Sequence, residues 1–123
     1  MASGADYRYG LAITASGTLG AVFDHTAAIS ITGTVAIPLN TFALVSCVFD
    51  RSADCSLYVN GVLDNTTDIS AGSAADFNHV VPLRIGTYTE ADETTPGGLF
   101  LGDISEVAIF KGTALTAQQI KQI

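Results

Sequence analysis

The sequence predicts an all-β domain that closes with a short helix, and three observations carry that prediction. Apolar residues come in short runs rich in β-branched and aromatic side chains. Gly, Asn, Asp and Ser divide those runs. Only the tail, from Leu115 on, departs from this period. The runs read as about nine strands: Arg8 to Thr14, Leu19 to Asp24, Ala28 to Ile31, Thr34 to Ile37, Phe42 to Asp50, Cys55 to Val59, Val62 to Asn65, Val80 to Tyr88 and Leu99 to Phe110.

Asn60-Gly61 is the firmest local signal. It stands between Leu57-Tyr58-Val59 and Val62-Leu63-Asp64, and Asn-Gly best tolerates the two positive φ angles of a type I′ hairpin turn, which gives Gly61 a structural role. Asp50 to Asp54 is polar between two apolar runs and reads as a longer hairpin turn, so Phe42 to Asn65 forms a three-stranded antiparallel meander. Ser70 to Asn78 and Thr89 to Gly98 read as loops. At the tail, Thr116 and Gln119 have capping-box spacing, and Leu115, Ile120 and Ile123 fall on one side of a short helix that would cap an edge or end of the sandwich. No internal repeat or low-complexity linker divides the chain, so residues 1–123 read as one domain.

Composition sets the limits. The chain has 123 residues, 48% hydrophobic and 14% charged, with a net charge of −7. A domain of this length hides roughly two-thirds of its unfolded surface, enough for one core without metal or disulfide staples. The apolar content excludes disorder. The longest apolar stretch, within Phe42 to Phe49, is broken by Ser46 and falls far short of the ~20 residues that span a bilayer. The N-terminus has no basic leader ahead of an apolar run and does not read as a signal peptide. The basic residues Arg8, Arg51, Arg84, Lys111 and Lys121 are scattered, which excludes a phosphate-binding stripe and makes nucleic acid an unfit partner. Cys47 and Cys55 make neither a zinc pattern nor a disulfide framework and read as small apolar residues of the hairpin.

Two strings are specific: Leu-Tyr-Val-Asn-Gly at 57–61, and Arg84 to Tyr88 followed by Phe100 to Ile120. Together they resemble the second half of a laminin-G-like domain of the concanavalin A-like lectin/glucanase superfamily. Phe100, Gly102, Ile104, Glu106, Val107, Ile109 and Phe110 fill that family's last-strand pattern, and Leu115, Thr116 and Ile120 fill its terminal helix. The resemblance implies an antiparallel jelly-roll β-sandwich. Phe42 stands where the family has Trp and takes that structural aromatic role. The family's first strands have no counterpart here, so the resemblance leaves two options: a minimal domain, or sheet edges completed by another chain. The run Ala43 to Phe49 is apolar on both faces, as for a strand covered on both sides, either by subunit packing or by a loop.

Candidate sites follow from the same comparison. Glycoside hydrolases on this fold hold paired carboxylates on one strand face. Here Glu90 and Asp92 have the offset, but Thr94 and Thr95 stand where the second Glu belongs, so no catalytic residues are assigned and the chain is not expected to be an enzyme. Glu90, Asp92 and Glu93 are candidate calcium ligands, because a hard cation takes several oxygens; otherwise no cofactor is expected. Tyr58, Asn60 and Tyr88 are candidate sugar contacts, an aromatic face with an amide beside it, and Tyr7 and Tyr9 are further exposed aromatics. Glu106 is a structural residue: buried and hydrogen-bonded if it shares the core face with Phe100, Ile104 and Ala108, outward if Leu101, Val107 and Ile109 line the core. Small chains of this kind look similar to phage structural proteins that decorate a capsid or tail. The expectation is a non-catalytic structural or adhesion module at a virion surface or outside a cell, working as a homo-oligomer or with other assembly proteins, with glycan as a further ligand. The alternative is a carbohydrate-binding lectin module of a larger secreted or cell-surface protein.

Overall fold

The turns set the architecture. In the computed structural model, which describes residues 8–24, 28–73, 83–89 and 96–123, neighbouring strands within each sheet run antiparallel. Strands β1 (Arg8–Ile13), β2 (Thr18–Asp24) and β3 (Ala28–Ala36) form one three-stranded sheet in chain order. Strands β4 (Val45–Phe49), β5 (Asp54–Val59) and β6 (Val62–Asp68) form a second. At the β1–β2 turn, Thr14 Oγ1 lies 2.9 Å from both Ser16 Oγ and Thr18 Oγ1, and Gly17 takes φ +77°. At the β4–β5 turn, Asp50 Oδ1 accepts from Ser52 N–H at 3.1 Å and Ser52 O–H at 2.7 Å, an Asx turn. The β5–β6 turn has the positive φ angles that the sequence requires, 50° at Asn60 and 72° at Gly61, with Val59 paired to Val62.

The two sheets pack face to face. Leu19, Ala21 and Ile31 of one meet Cys55 and Leu57 of the other, with Ile69 just past β6, in a single buried cluster, ringed by Ile29, Ile37, Val45, Cys47 and Phe49. Full burial of a Leu or Ile side chain stabilises by about 1.5–3 kcal/mol, so this small cluster is the main source of cohesion. β2 lies over β5 and β3 beside β6. At the opposite border the Tyr9 ring of β1 meets the Phe49 ring of β4 edge-on, centroids 5.0 Å apart. The all-β antiparallel sandwich read from the sequence is the observed fold.

Three expectations about strands change. The break placed between Ile31 and Thr34 is absent, because β3 runs unbroken through Gly33. Gly33 marks a close approach rather than a turn: a Cβ there would overlap Asp64 Oδ2 of β6, with Asp64 Cγ at 3.1 Å and Leu19 O at 3.2 Å. The long terminal strand Leu99 to Phe110 is also not formed. β7 (Thr87–Thr89) pairs with β8 (Pro96–Leu99), and Phe100 N–H donates to Gly86 O at 2.8 Å, after which residues 100–110 carry no strand. Phe100 folds its ring over Gly102, close enough that a Cβ there would meet Cε1 at 2.9 Å, and the chain bends. Alternation specifies which side chains share a face but supplies no partner edge, and without one a strand does not form. Of the strand expected from Val80 to Tyr88, Val80 to Pro82 lie outside the described residues and the observed strand begins at Thr87.

The chain divides into two compact units, Met1–Asn78 with Phe110–Ile123, and His79–Ile109. The first holds both three-stranded sheets and helix α1 (Ala117–Ile120). Thr116 and Gln119 close the helix N-terminus reciprocally, Gln119 N–H to Thr116 Oγ1 at 3.3 Å and Thr116 N–H to Gln119 Oε1 at 2.9 Å. Ile120 is buried and Leu115 half-buried, whereas Ile123 is exposed. The second unit holds the β7–β8 pair.

Gly33→Ala is expected to cost about 1–3 kcal/mol in urea denaturation, since the added methyl must displace the Asp64 carboxylate. In an Asp64→Ala background the same change should cost much less, a coupling that a double-mutant cycle reads directly.

Candidate functional site

The polar chemistry of the described residues concentrates where β6 meets β3. Asp64 follows the Asn60-Gly61 turn closely enough that the hairpin aims its carboxyl at the neighbouring strand. Its Oδ1 accepts from Thr34 N–H at 2.9 Å, Thr34 O–H at 2.8 Å and Val35 N–H at 3.1 Å. Oδ2 sits buried over Gly33, with no hydrogen-bond partner of its own. One residue on, Asn65 Nδ2 donates to Thr32 O at 2.8 Å. Partial burial pushes the Asp64 carboxyl up, but the three hydrogen bonds from Thr34 and Val35 outweigh it and hold the group below the usual carboxylate range. Asp68, farther along β6, is likewise held low by its hydrogen bonding with Ser70, whose N–H donates to Oδ1 at 2.8 Å. Asp50, Asp64 and Asp68 therefore serve turns and the strand border. Among the described residues no three His, Cys, Asp or Glu side chains gather as a metal site would require.

The residues singled out from the sequence fall in different places. Tyr58, expected to be exposed, is only 8% exposed; it follows the irregularity in the β5–β6 register between Leu57 and Tyr58, where consecutive Leu57, Tyr58 and Val59 are all buried, so its ring is closed to a sugar face. Asn60 is exposed, but its amide already works within the fold, Oδ1 accepting from Leu44 N–H at 3.0 Å while its own N–H donates to Leu44 O at 2.7 Å. Gly61 lies against the chain just after the helix, where a Cβ would meet Lys121 Cγ at 2.7 Å and Cα at 3.2 Å. Tyr88 is on β7, with its side chain outside the described residues, as are Glu90, Asp92, Glu93 and Tyr7.

Phe42, given a structural aromatic role from the resemblance, is not part of the buried cluster. It is 73% exposed, in the segment that precedes β4 rather than on the strand. Glu106 is exposed, as are the residues of both alternate faces around it, because the segment that would have buried one face is not a strand. Sequence reasoning missed Asp64 and Gly33; the available signal was a glycine inside a β-branched run, which marks a close approach as readily as a turn. It also missed the proximity of Cys47 and Cys55, whose Sγ atoms are 3.3 Å apart. The S–H of Cys47 favours the Cys55 thiolate and lowers that group, and the same bond, with burial and the Cys55 charge, pushes Cys47 up.

What remains exposed is apolar to an unusual degree. In the first unit Leu39 and Phe42 stand out, and in the second Leu99, Leu101 and Ile109, with Leu101 94% exposed. The Tyr9 ring is 47% exposed beside Phe49. A family model described as the concanavalin A-like lectin/glucanases superfamily matches residues 1–121. The chain is similar in fold to the crystal structure of an S-layer domain-containing protein from Clostridium thermocellum, with a TM-score of 0.57 and 18% identity. The match covers 99% of this chain and 58% of that one. No match is found among curated proteins.

Because the Asp64 carboxyl is held low when folded, its stabilising effect is present above the unfolded value of about 3.9 and is lost as pH falls through the lower folded value. Asp64→Asn is expected to cost about 1–2 kcal/mol near pH 7, softened by solvent screening, and the gap to the parent chain should narrow as urea titrations are repeated below pH 4. Tyr58→Ala should lower stability by about 3 kcal/mol, whereas Tyr58→Phe should stay close to the parent, as thermal melts will show.

Proposed function

This chain belongs to the concanavalin A-like lectin/glucanase superfamily through its laminin-G-like family, and on that premise we propose that it is a non-catalytic adhesion and structural module at a virion or cell surface. It acts through contacts with other copies or other assembly proteins, as a capsid or tail decoration does, with glycan as a further ligand. The observation that carries this reading is the exposed apolar surface of each unit, Leu39 and Phe42 in one and Leu99, Leu101 and Ile109 in the other. Exposed apolar side chains of this size are what subunit contacts cover. Support also comes from the carboxylates of β6 and the β4–β5 turn, which are engaged by the protein's own backbone. The similar solved structure belongs to an S-layer domain-containing protein, which is in keeping with a surface location. Among the described residues no helix is long and apolar enough to cross a membrane.

A second reading, a carbohydrate-binding lectin module of a larger protein, is favoured by the half-exposed Tyr9 ring and by a match that spans 58% of the similar structure. Native mass separates the two. The assembly reading expects light scattering on a sizing column to give a discrete oligomer stable to dilution, and Leu101→Asp with Ile109→Asp to shift it to the monomer without loss of β-sheet circular dichroism. A monomer retarded on polysaccharide resin, with retardation lost in Tyr9→Ala, would replace it with the lectin.

A further inference from the structure

The two cysteines of the chain meet inside the β4–β5 hairpin. Cys47 stands opposite Leu57, and Phe49 opposite Cys55, so the thiols are diagonal neighbours on one face of the pair. That is the inner face, where Cys55 belongs to the core cluster and Cys47 packs against it. Diagonal neighbours in an antiparallel pair are normally about 7–8 Å apart at their backbones, yet the side-chain rotamers bring Sγ to Sγ at 3.3 Å. The register that places them is pinned on both sides. Asp50 N–H donates to Asp54 O at 2.9 Å at the turn they flank, and Asn60 holds Leu44 at the far end of the same strand pair. Two alanines or valines would fill a hairpin core as well; two thiols in contact bring chemistry that packing does not need.

We propose that Cys47 and Cys55 are a dithiol modification site that closes to an intrachain disulfide across the β4–β5 hairpin when the folded chain meets a small-molecule disulfide. Cys47 is the more accessible of the two sulfurs, Cys55 being buried. With one proton shared across the 3.3 Å contact the charge rests mainly on Cys55, and passage of that proton from Cys47 to Cys55 gives the minor form in which the more accessible Cys47 is the thiolate that reacts. That thiolate attacks one sulfur of the oxidant, its S–S bond breaks, and the first thiol equivalent departs from a mixed disulfide on Cys47. Cys55 then attacks the Cys47 sulfur, the mixed disulfide breaks, and the second equivalent leaves with the remaining proton. The protein pair is oxidised by two electrons and the reagent is reduced to two thiols, the first leaving as thiolate and taking its proton from water. Such a bond persists in the oxidising surroundings of a surface protein and opens in a reducing cytosol.

Arg51 lies between the two cysteines, which makes the bond directly readable. The full folded chain is incubated with oxidised glutathione at neutral pH, quenched with an alkylating agent and digested with trypsin without reductant. The expected result is a mass lower by about 2 Da, for the two hydrogens lost, no alkylation, and one linked pair of peptides that separates on reduction. The oxidised chain should also melt several degrees higher than the reduced one. Alkylation of both thiols after prolonged oxidation would overturn the proposal, as would a persistent glutathione adduct, a link between chains, or linkage seen only when urea is present. Cys47→Ser and Cys55→Ser should each abolish the linked peptide; should either fail to fold, the mapping on the parent chain still decides.

Discussion

At the border of the two sheets a single carboxylate oxygen of Asp64 draws together the main chain and side chain of Thr34 and the main chain of Val35. The arrangement exists because Gly33 leaves the notch in which the other oxygen rests. Strand edges carry rows of unpaired donors and acceptors, and at this border side chains of β6 satisfy part of the β3 edge. Asn65 does the complementary work, donating to Thr32 O. The buried cluster of Leu19, Ile31, Leu57 and Ile69 supplies the cohesion, but hydrophobic burial has no direction. The directional contacts at the border fix how one sheet lies on the other, and the edge-on Tyr9–Phe49 pair marks the opposite side.

The Asn60-Gly61 turn is a second point on which several elements converge. Its conformation alone closes the hairpin, and its exposed amide grips Leu44 ahead of β4. The glycine also leaves the space into which Lys121 fits after the helix. A dipeptide selected for a backbone twist thus also positions the chain at two distant points in the sequence. This is why Asn60, attractive as a ligand contact from its place beside Tyr58, is occupied by its own fold.

What the sequence makes legible follows from which signals are local. Asn60-Gly61, the Thr116–Gln119 box and the alternation within β2 and β5 each depend on residues close in the chain, and the observed elements agree with them. The Leu99 to Phe110 segment has the same alternation, but a strand also needs a partner edge, which no local pattern encodes. Gly33 looks like a break because its reason lies some thirty residues away in Asp64. The site residues fare worse than the fold for a related reason: motif position alone points to Tyr58 and Phe42, whereas exposure is decided by bulges and by what covers each face. The acidic cluster Glu90, Asp92 and Glu93 lies outside the described residues.

Each three-stranded sheet follows chain order, β1-β2-β3 and then β4-β5-β6. Every ladder is therefore assembled from neighbours in sequence, which keeps the loop-closure entropy of each pairing small. Sandwiches whose sheets interleave distant strands must search for those partners before any pairing stabilises them. Here each ladder joins strands adjacent in sequence, and the contacts between the two layers, the Thr34–Asp64 border among them, are the ones that join residues far apart in the chain.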